Sequence, residues 1–339
     1  MAEWILREGG KTRFRYLRPD GKPVRDERTL ERIRLIVIPP AWTDVHIAAS
    51  ARAEVQAWGM DAKGRKQYRY HARAVERGQL RKYYRVRELA KELPDIRRRV
   101  RSHAASRTPS KRAVAAAVVR LISESFFRIG SEKYATENKT FGIATLRKRH
   151  VQMLDGRVVF TYVGKRSIQQ RQTVANRELA ALVRKQLTSP GTRLFRYKEG
   201  TRWHDLTARD VNGYLHETLV VGYSAKDFRT WGGTLRAATV LAELGPGRTP
   251  TDTKRNVMTT MRLVASELGN TPAICRKAYV HPLVVARYVD DGETIVLPKK
   301  HVPRADAYAH SPEERALIRF LDAHFPERRK RARTVTTQH

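Results

Sequence analysis

The sequence predicts an α+β protein with a small β-rich amino-terminal domain, residues 1–80, and a larger, mainly α-helical domain, residues 81–325, that holds a three-stranded β-sheet. Three observations lead to this fold class: short strand-type runs before residue 80, apolar residues at helical spacing after it, and a meander pattern over residues 151–174. The chain has 339 residues, which is enough for two hydrophobic cores.

The first domain is expected to be rich in strands. Residues 34–38 form a short β-type run that Pro39 and Pro40 stop. Residues 63–66 indicate a basic turn, and they lead into residues 67–71, where aromatic, polar and charged side chains mix as on an exposed strand.

The second domain is expected to begin as helix. Thr108 and Pro109 combine a capping residue with proline, which is typical of a helix start. Helical spacing then links the apolar residues Val114, Ala117, Val118, Leu121 and Ile122. Arg128 is predicted to continue this helix face, where a charged side chain should need a partner.

A β-meander follows, with strands over residues 151–154, 157–163 and 168–174. Asp155-Gly156 is a strong hairpin signal between the first two strands, and residues 164–167 make the second turn. The remainder is predicted to be mostly helical. Thr271-Pro272 indicates one helix start, and a capping-box spacing over residues 311–314 indicates another.

Charge is the strongest compositional signal. The chain has 68 Lys and Arg against 34 Asp and Glu, a net charge of +34, and the basic residues run through its whole length. Such a balance predicts a polyanionic partner, and nucleic acid fits better than a membrane surface, which is usually met by one amphipathic segment. The chain also lacks an apolar run near the roughly 18 residues of a membrane span.

Cysteine usage points to a reducing compartment. Cys275 is the single cysteine, so neither an intrachain disulfide nor a cysteine-based zinc site is possible, and we interpret it as incidental. The amino terminus lacks the apolar stretch of a signal peptide. A cytoplasmic protein is therefore expected.

Common cofactor motifs are absent from the sequence. It contains no Walker loop, no HExxH, no GxGxxG and no acidic cluster with two-metal spacing. If the protein acts on phosphodiesters, we expect it to use no ATP, metal or other cofactor. Metal-free strand transfer needs a nucleophile that stores the bond energy covalently, arginines for the phosphate oxygens, and a proton donor for the leaving oxygen.

The sequence offers candidates for each role in an order that resembles the small type IB DNA topoisomerases, of bacterial and poxviral form. The resemblance covers roughly residues 30–290 and rests on five segments in the right order and spacing. These are an amino-terminal part (residues 38–42 and 61–71), a first-arginine part (126–130 and Tyr134), a lysine turn (162–165), a K-x-x-R part (226–231), and a nucleophile part (268–272 and Tyr279).

The resemblance implies a role for each matching residue. Tyr279 would attack the phosphate, forming a 3′-phosphotyrosyl bond and releasing a 5′-hydroxyl. Arg128 and Arg229 would clamp the phosphate oxygens, and Lys165 on a mobile β-turn would be the general acid. Asn270 stands where many relatives have histidine, so it would donate a hydrogen bond to a non-bridging oxygen without transferring a proton.

The resemblance also implies the partner and the architecture. Gln67, Tyr68, Tyr70, Lys133 and Tyr134 fall where relatives touch duplex DNA. The two domains, of tyrosine recombinase/topoisomerase IB-like fold, would close on DNA as a clamp. We expect a monomer in the bacterial cytoplasm, associated with the nucleoid, and we interpret the basic residues 326–339 as a disordered tail.

Each catalytic candidate has a plainer interpretation when taken singly. Arg128 suits a helix-end salt bridge, Arg229 a structural ion pair, Lys165 a solvated turn, Asn270 a cap, and Tyr279 a half-buried core position. Their joint occurrence in family order favours the catalytic interpretation over a non-enzymatic basic binding protein.

A site-specific tyrosine recombinase is the alternative enzyme, because it shares the catalytic design. The β-rich first domain and the K-x-x-R pattern at residues 226–229 favour a topoisomerase.

Overall fold

The structure is a computed structural model, and it describes residues 3–10, 13–219, 222–298 and 306–324. The chain divides into two compact units, residues 1–82 and 83–339. The predicted tail, residues 326–339, lies outside the described residues. In the described ranges no helix is both long and apolar enough to cross a bilayer.

The first unit is a five-stranded antiparallel sheet with one helix on it. Its strands lie in the order β2-β1-β3-β4-β5, and its elements are β1 (Trp4–Gly9), β2 (Phe14–Leu17), α1 (Glu27–Ile36), β3 (Thr43–Ala48), β4 (Val55–Met60) and β5 (Lys66–Tyr70). One sheet face and α1 share a small core of Ile5, Val24, Ile33, Val45, Ile47 and Ala57.

The strand predicted over residues 34–38 is wrong. Residues 34–36 form the last turn of α1, and Val37 ends it in a left-handed conformation with φ 52°. Asp26 caps this helix by accepting a hydrogen bond from the Thr29 N–H at 2.9 Å. Leu30 and Ile33 then face the core at helical spacing, so the amphipathic pattern outweighs the β propensity of the branched residues.

The second unit is mainly helical and contains two small sheets. Its helices are α2 (Ala72–Ala104, which begins in the first unit), α3 (Lys111–Ser125), α4 (Glu132–Glu137), α5 (Arg177–Leu187), α6 (Ala208–Thr218), α7 (Ala225–Leu244), α8 (Pro250–Leu268), α9 (Pro272–Ala278), α10 (Pro282–Asp291) and α11 (Pro312–His324). Its strands are β6 (Val151–Leu154), β7 (Arg157–Val163), β8 (Gln169–Val174), β9 (Arg196–Glu199) and β10 (Arg202–Asp205).

Helix α3 lies at the centre of this unit. All residues from 113 to 119 are buried, and α3 packs against α5, α6, α7 and β9. Its cap is Ser110, which accepts a hydrogen bond from the Ala113 N–H, so the start predicted at Thr108-Pro109 is two residues early. Helix α3 ends at Ser125, because Phe126 adopts a left-handed conformation with φ 54°. Arg128 therefore follows the helix, and its predicted place on the helix face is wrong.

The predicted three-stranded sheet is confirmed. Strands β6, β7 and β8 are antiparallel neighbours in that order, with Tyr162 of β7 opposite Gln170 of β8. The caps predicted at Thr271 and Ser311 are also confirmed, since both side chains accept hydrogen bonds from helix N–H groups. The β9–β10 hairpin was not predicted, because its short, charged strands lack an apolar alternation.

The start of α7 is held by a buried carboxylate. Asp227 is 1% exposed and accepts hydrogen bonds from the Ser224 N–H and hydroxyl, both at 2.8 Å. Its other oxygen accepts from the Arg85 guanidinium of α2, with Nη2 at 2.8 Å. This arrangement fixes the first turn of α7 against α2, two residues before Arg229.

Replacing Asp227 by asparagine is expected to destabilise the second unit. The substitution replaces one carboxylate oxygen by an NH₂ group, so either the Ser224 donors or the Arg85 guanidinium loses its acceptor. Arg85 also loses its charge partner. We expect a loss of about 2 kcal/mol and a fall of about 6 °C in the midpoint of thermal unfolding. The matched control is Asp95→Asn, because Asp95 pairs with Arg98 at the surface, where such pairs contribute little. Equal midpoints for the two variants would contradict the prediction.

Candidate active site

Arg229 lies in the second turn of α7 and is 3% exposed. Its Nη2 donates to the Leu268 carbonyl oxygen at the end of α8 at 2.8 Å, and its Nη1 donates to the Phe126 carbonyl oxygen at the end of α3. Burial lowers the pKa of Arg229, and the nearby Tyr279 opposes that effect. An arginine nevertheless stays charged at neutral pH. Its Nε finds no hydrogen-bond acceptor among the described residues.

Arg128 and Asn270 meet beside Arg229. The Arg128 guanidinium donates through Nη2 to Oδ1 of Asn270. Asn270 follows Gly269, whose left-handed φ of 59° ends α8, and the Asn270 N–H bonds the Ala265 carbonyl at 2.9 Å. This turn presents the Asn270 side chain to Arg128.

Tyr279 ends the short helix α9, and its N–H donates to the Cys275 carbonyl at 2.9 Å. Its half-buried ring lies with its centre 5.1 Å from Cζ of Arg229, within cation–π range. Gly233 of α7 permits this approach, because a Cβ there would lie 2.7 Å from the Tyr279 carbonyl oxygen.

The two guanidinium groups carry unneutralised charge. Neither Arg128 nor Arg229 forms an ion pair with a carboxylate in the part of the chain that the structure describes, although many other arginines do. The salt-bridge interpretations of these two residues therefore fail. Two adjacent fixed cations with donors to spare are suited to bind an anion with several oxygens.

Lys165 lies apart from the other four candidates. It is exposed in the turn between β7 and β8, and no hydrogen bond, ion pair or ring contact joins it to them within the described ranges. Its neighbours Arg166 and Ser167 have left-handed φ values of 64° and 57°, which is a strained conformation for residues other than glycine. The sheet itself borders the site, because a Cβ on Gly269 would overlap the side chain of Gln170 in β8.

Cys275 is fully buried beneath the site, and burial raises the pKa of its thiol to about 11. Nearby Arg229 and Arg128 oppose that effect only in part. A thiol in this state is a poor nucleophile at neutral pH, which agrees with its interpretation as incidental. No group of three His, Cys, Asp or Glu side chains that could hold a metal ion occurs in the described segments.

Comparison with known families identifies the family of the chain. A family model described as the catalytic core of eukaryotic DNA topoisomerase I matches residues 71–300, and one for the N-terminal domain of bacterial DNA topoisomerase IB matches residues 13–61. The chain belongs to the type IB DNA topoisomerases. The topoisomerase reading of the sequence is thereby confirmed over the recombinase alternative, and the protein is an isomerase of DNA.

Curated relatives are similar in sequence to this topoisomerase over most of its length. It is 29% identical to DNA topoisomerase 1B of Acanthamoeba polyphaga mimivirus over 311 residues, which is 89% of this chain and 93% of the relative. It is 26% identical to DNA topoisomerase 1B of Vaccinia virus (strain Copenhagen) over 293 residues, which is 82% of this chain and 88% of the relative. DNA topoisomerase 1 of Rabbit fibroma virus (strain Kasza) is 25% identical over 278 residues.

The predicted DNA-contact residues of the topoisomerase are accessible to different degrees. Tyr68 and Tyr70 are exposed on β5, with stacked rings 5.9 Å apart. Gln67 of β5 is half-buried, and its Nε2 donates to Asp61 at 2.9 Å. In the second unit, Lys133 and Tyr134 are exposed on α4.

Two residues that hold the Tyr279 segment were not predicted. The Thr234 hydroxyl of α7 bonds backbone groups of Tyr279 and His281, and the Tyr83 hydroxyl of α2 donates to the Val280 carbonyl. These partners are 45 to 197 residues away in sequence. A buried threonine or tyrosine in a helix follows no local pattern that distinguishes it from ordinary core. Only the tertiary structure identifies them.

Proposed function

We propose that this topoisomerase relaxes supercoiled duplex DNA by cutting one strand with Tyr279 and resealing it, without ATP or a metal ion. The observation that carries this proposal is the pair of unneutralised guanidiniums, one of them 5.1 Å from the centre of the Tyr279 ring. A phosphodiester held by these cations would lie next to the tyrosine hydroxyl.

The bond changes balance without an external energy source. The Tyr279 oxygen, losing its proton to solvent, forms a bond to phosphorus while the bond from phosphorus to the 5′-oxygen breaks. The products are a 3′-phosphotyrosyl linkage and a 5′-hydroxyl, and attack by that hydroxyl reverses the step. Because one phosphodiester replaces another of similar energy, religation needs no ATP.

Three side chains are proposed to stabilise the pentacoordinate phosphate. Arg128 and Arg229 place fixed positive charge on the non-bridging oxygens in a partly dry site, where preorganised charge is most effective. Asn270 accepts from Arg128 through Oδ1, so its amide N–H groups remain for a phosphate oxygen. Nδ2 of Asn270 has only a long contact of 3.5 Å to the Leu268 carbonyl.

Lys165 is proposed to protonate the leaving 5′-oxygen. Its place on the β7–β8 turn puts it outside the phosphate cluster, so it must reach the leaving group by movement of the turn or by the approach of DNA. The strained turn residues, Arg166 and Ser167, are consistent with a segment that changes conformation on binding.

Duplex DNA is the proposed substrate and the monomer the proposed active form. The net charge of +34 supports contact with the phosphate backbone over a long surface. We propose that Gln67, Tyr68, Tyr70, Lys133 and Tyr134 contact DNA, and that the protein works on the nucleoid in the cytoplasm.

Plasmid relaxation tests the proposal directly. Purified protein mixed with supercoiled plasmid in EDTA and without ATP is expected to produce a ladder of relaxed topoisomers. Positive and negative supercoils should both relax, because free rotation about a nick is driven only by torsion. Assembly state is measured in parallel by sedimentation, where activity of a species of monomer mass supports the proposal.

Two results would count against it. Plasmid binding without relaxation would contradict the proposed cleavage and resealing by Tyr279. Relaxation that is lost in EDTA and restored by a divalent ion would contradict the metal-free mechanism.

A further inference from the structure

Helix α7 contacts the backbone around Tyr279 through a buried threonine. Thr234 is 0% exposed, and its Oγ1 accepts a hydrogen bond from the His281 N–H at 3.0 Å. The Thr234 hydroxyl donates to the Thr230 carbonyl at 2.7 Å, and the Tyr279 carbonyl lies at a longer 3.4 Å from the same oxygen. A threonine inside a helix commonly bonds only the carbonyl four residues earlier, so the bond to His281 is an added link between elements.

The bond to His281 satisfies a backbone group at a helix end. His281 is the N-cap of α10, and the first N–H groups of a helix are commonly bonded by a side chain. Thr234 therefore provides the acceptor for this buried group, and it fixes the chain two residues beyond Tyr279.

A second buried hydroxyl holds the same segment from α2. Tyr83 is 4% exposed, and its hydroxyl donates to the Val280 carbonyl at 3.0 Å. Its ring packs on His281 with 4.4 Å between ring centres. Burial raises the pKa of Tyr83 to about 12, so the hydroxyl keeps the proton that it donates at neutral pH.

The same helix therefore carries the phosphate-binding arginine and the residue that holds the nucleophile segment. Arg229 and Thr234 are five residues apart on α7, and Gly233 between them lets the Tyr279 backbone approach closely. A rigid helix that holds both groups fixes the distance from guanidinium to phenol before DNA arrives. In-line attack at phosphorus depends on that distance.

We propose that Thr234 is a positioning residue for Tyr279, assisted by Tyr83. The two hydroxyls hold residues 279–281 so that the phenol faces a phosphate bound by Arg229. The proposal rests on the proposed function of Tyr279 and adds the means by which the fold orients it.

The test compares two leaving groups at one mapped cleavage site in a duplex. One substrate has the normal 5′-bridging oxygen, and the other has 5′-bridging sulfur. Sulfur leaves as a thiolate and needs no proton, because a thiol is a far stronger acid than an alcohol. It therefore removes the need for a general acid but not the need for an oriented nucleophile.

The expected results separate positioning from other defects. Thr234→Val keeps the shape and loses the hydroxyl that accepts from His281 and donates to the carbonyls. We expect single-turnover cleavage to slow about 10²-fold on both substrates. Lys165→Ala should be slow on the oxygen substrate and largely restored by sulfur. Thr234→Ser, which keeps the hydroxyl, should recover most of the rate.

Thr260→Val is the matched control. Thr260 is also 0% exposed in a helix, α8, but within the described segments its hydroxyl bonds only the Asn256 carbonyl of its own helix, at 2.8 Å. We expect this variant to cleave both substrates at the wild-type rate.

Several outcomes would overturn the proposal. They are a wild-type rate for Thr234→Val, restoration of its rate by sulfur, or an equal loss in Thr260→Val. If Thr234→Val unfolds at the assay temperature, Tyr83→Phe decides in its place: a loss on both substrates supports positioning, and a wild-type rate opposes it. A wild-type protein that forms no covalent adduct at Tyr279 would instead contradict the proposed function itself.

Discussion

Replacing Tyr279 by phenylalanine is expected to abolish DNA cleavage while leaving DNA binding intact. The substitution removes the only atom proposed to attack phosphorus, and no neighbouring group replaces it, since the Cys275 thiol is buried and its pKa is raised to about 11. We expect the rate of covalent adduct formation to fall by at least about 10⁴-fold. The ring remains 5.1 Å from Arg229 in the parent geometry, so folding and affinity should change little.

The measurement is covalent trapping on a duplex whose cleaved end diffuses away, followed by denaturing electrophoresis. Tyr308→Phe is the matched control, because among the described residues its ring lies against the guanidiniums of Arg98 and Arg101, and its hydroxyl has no assigned role in the mechanism. Adduct formation by Tyr279→Phe at an appreciable rate would remove Tyr279 from the mechanism, whereas loss of DNA binding would make it a structural residue.

Arg229→Lys is expected to slow cleavage about 10²- to 10³-fold although it preserves the charge. Arginine uses its forked nitrogens to reach the carbonyls of Phe126 and Leu268 at once, and a single ammonium cannot span both. Burial should also lower the pKa of the new lysine, as it lowers that of Arg229. Because lysine starts from a lower pKa, the variant should lose activity as the pH rises through a range where the wild type keeps its charge.

Single-turnover cleavage between pH 6 and pH 10 measures both effects. The matched control is Arg236→Lys, on the same helix two turns further on, where the side chain forms a surface ion pair with Glu267. We expect that variant to follow the wild-type profile. A wild-type rate in Arg229→Lys would show that charge alone suffices and that the fork is dispensable.

The sequence predicts the fold best where local patterns and tertiary packing agree. The meander around residues 151–174 has an Asp-Gly turn and alternating strands, and the structure has the same sheet. Residues 34–38 show the opposite case, since their branched side chains favour a strand while the Asp26 cap and the core contact of Ile33 favour a helix. Tertiary burial decided between them.

The sequence also indicates which residues have the chemistry of the site, but not how they are arranged. Arg128 and Arg229 are identified by their order in the chain, yet their lack of carboxylate partners in the described segments appears only when distant segments fold together. The bond from Thr234 to His281 spans 47 residues, so no local window could contain it. The role of Lys165 stays a prediction, because no contact joins it to the other four candidates in the described ranges.

Because Cys275 is buried, the enzyme is suited to site-specific labelling with a fluorescent dye. Burial raises the pKa of the Cys275 thiol to about 11 and also shields the sulfur from maleimide reagents, which react with the thiolate. A cysteine introduced at exposed Ser167 could therefore be labelled selectively in the otherwise native chain. A dye at that position would test in real time whether the β7–β8 turn moves when the enzyme engages DNA.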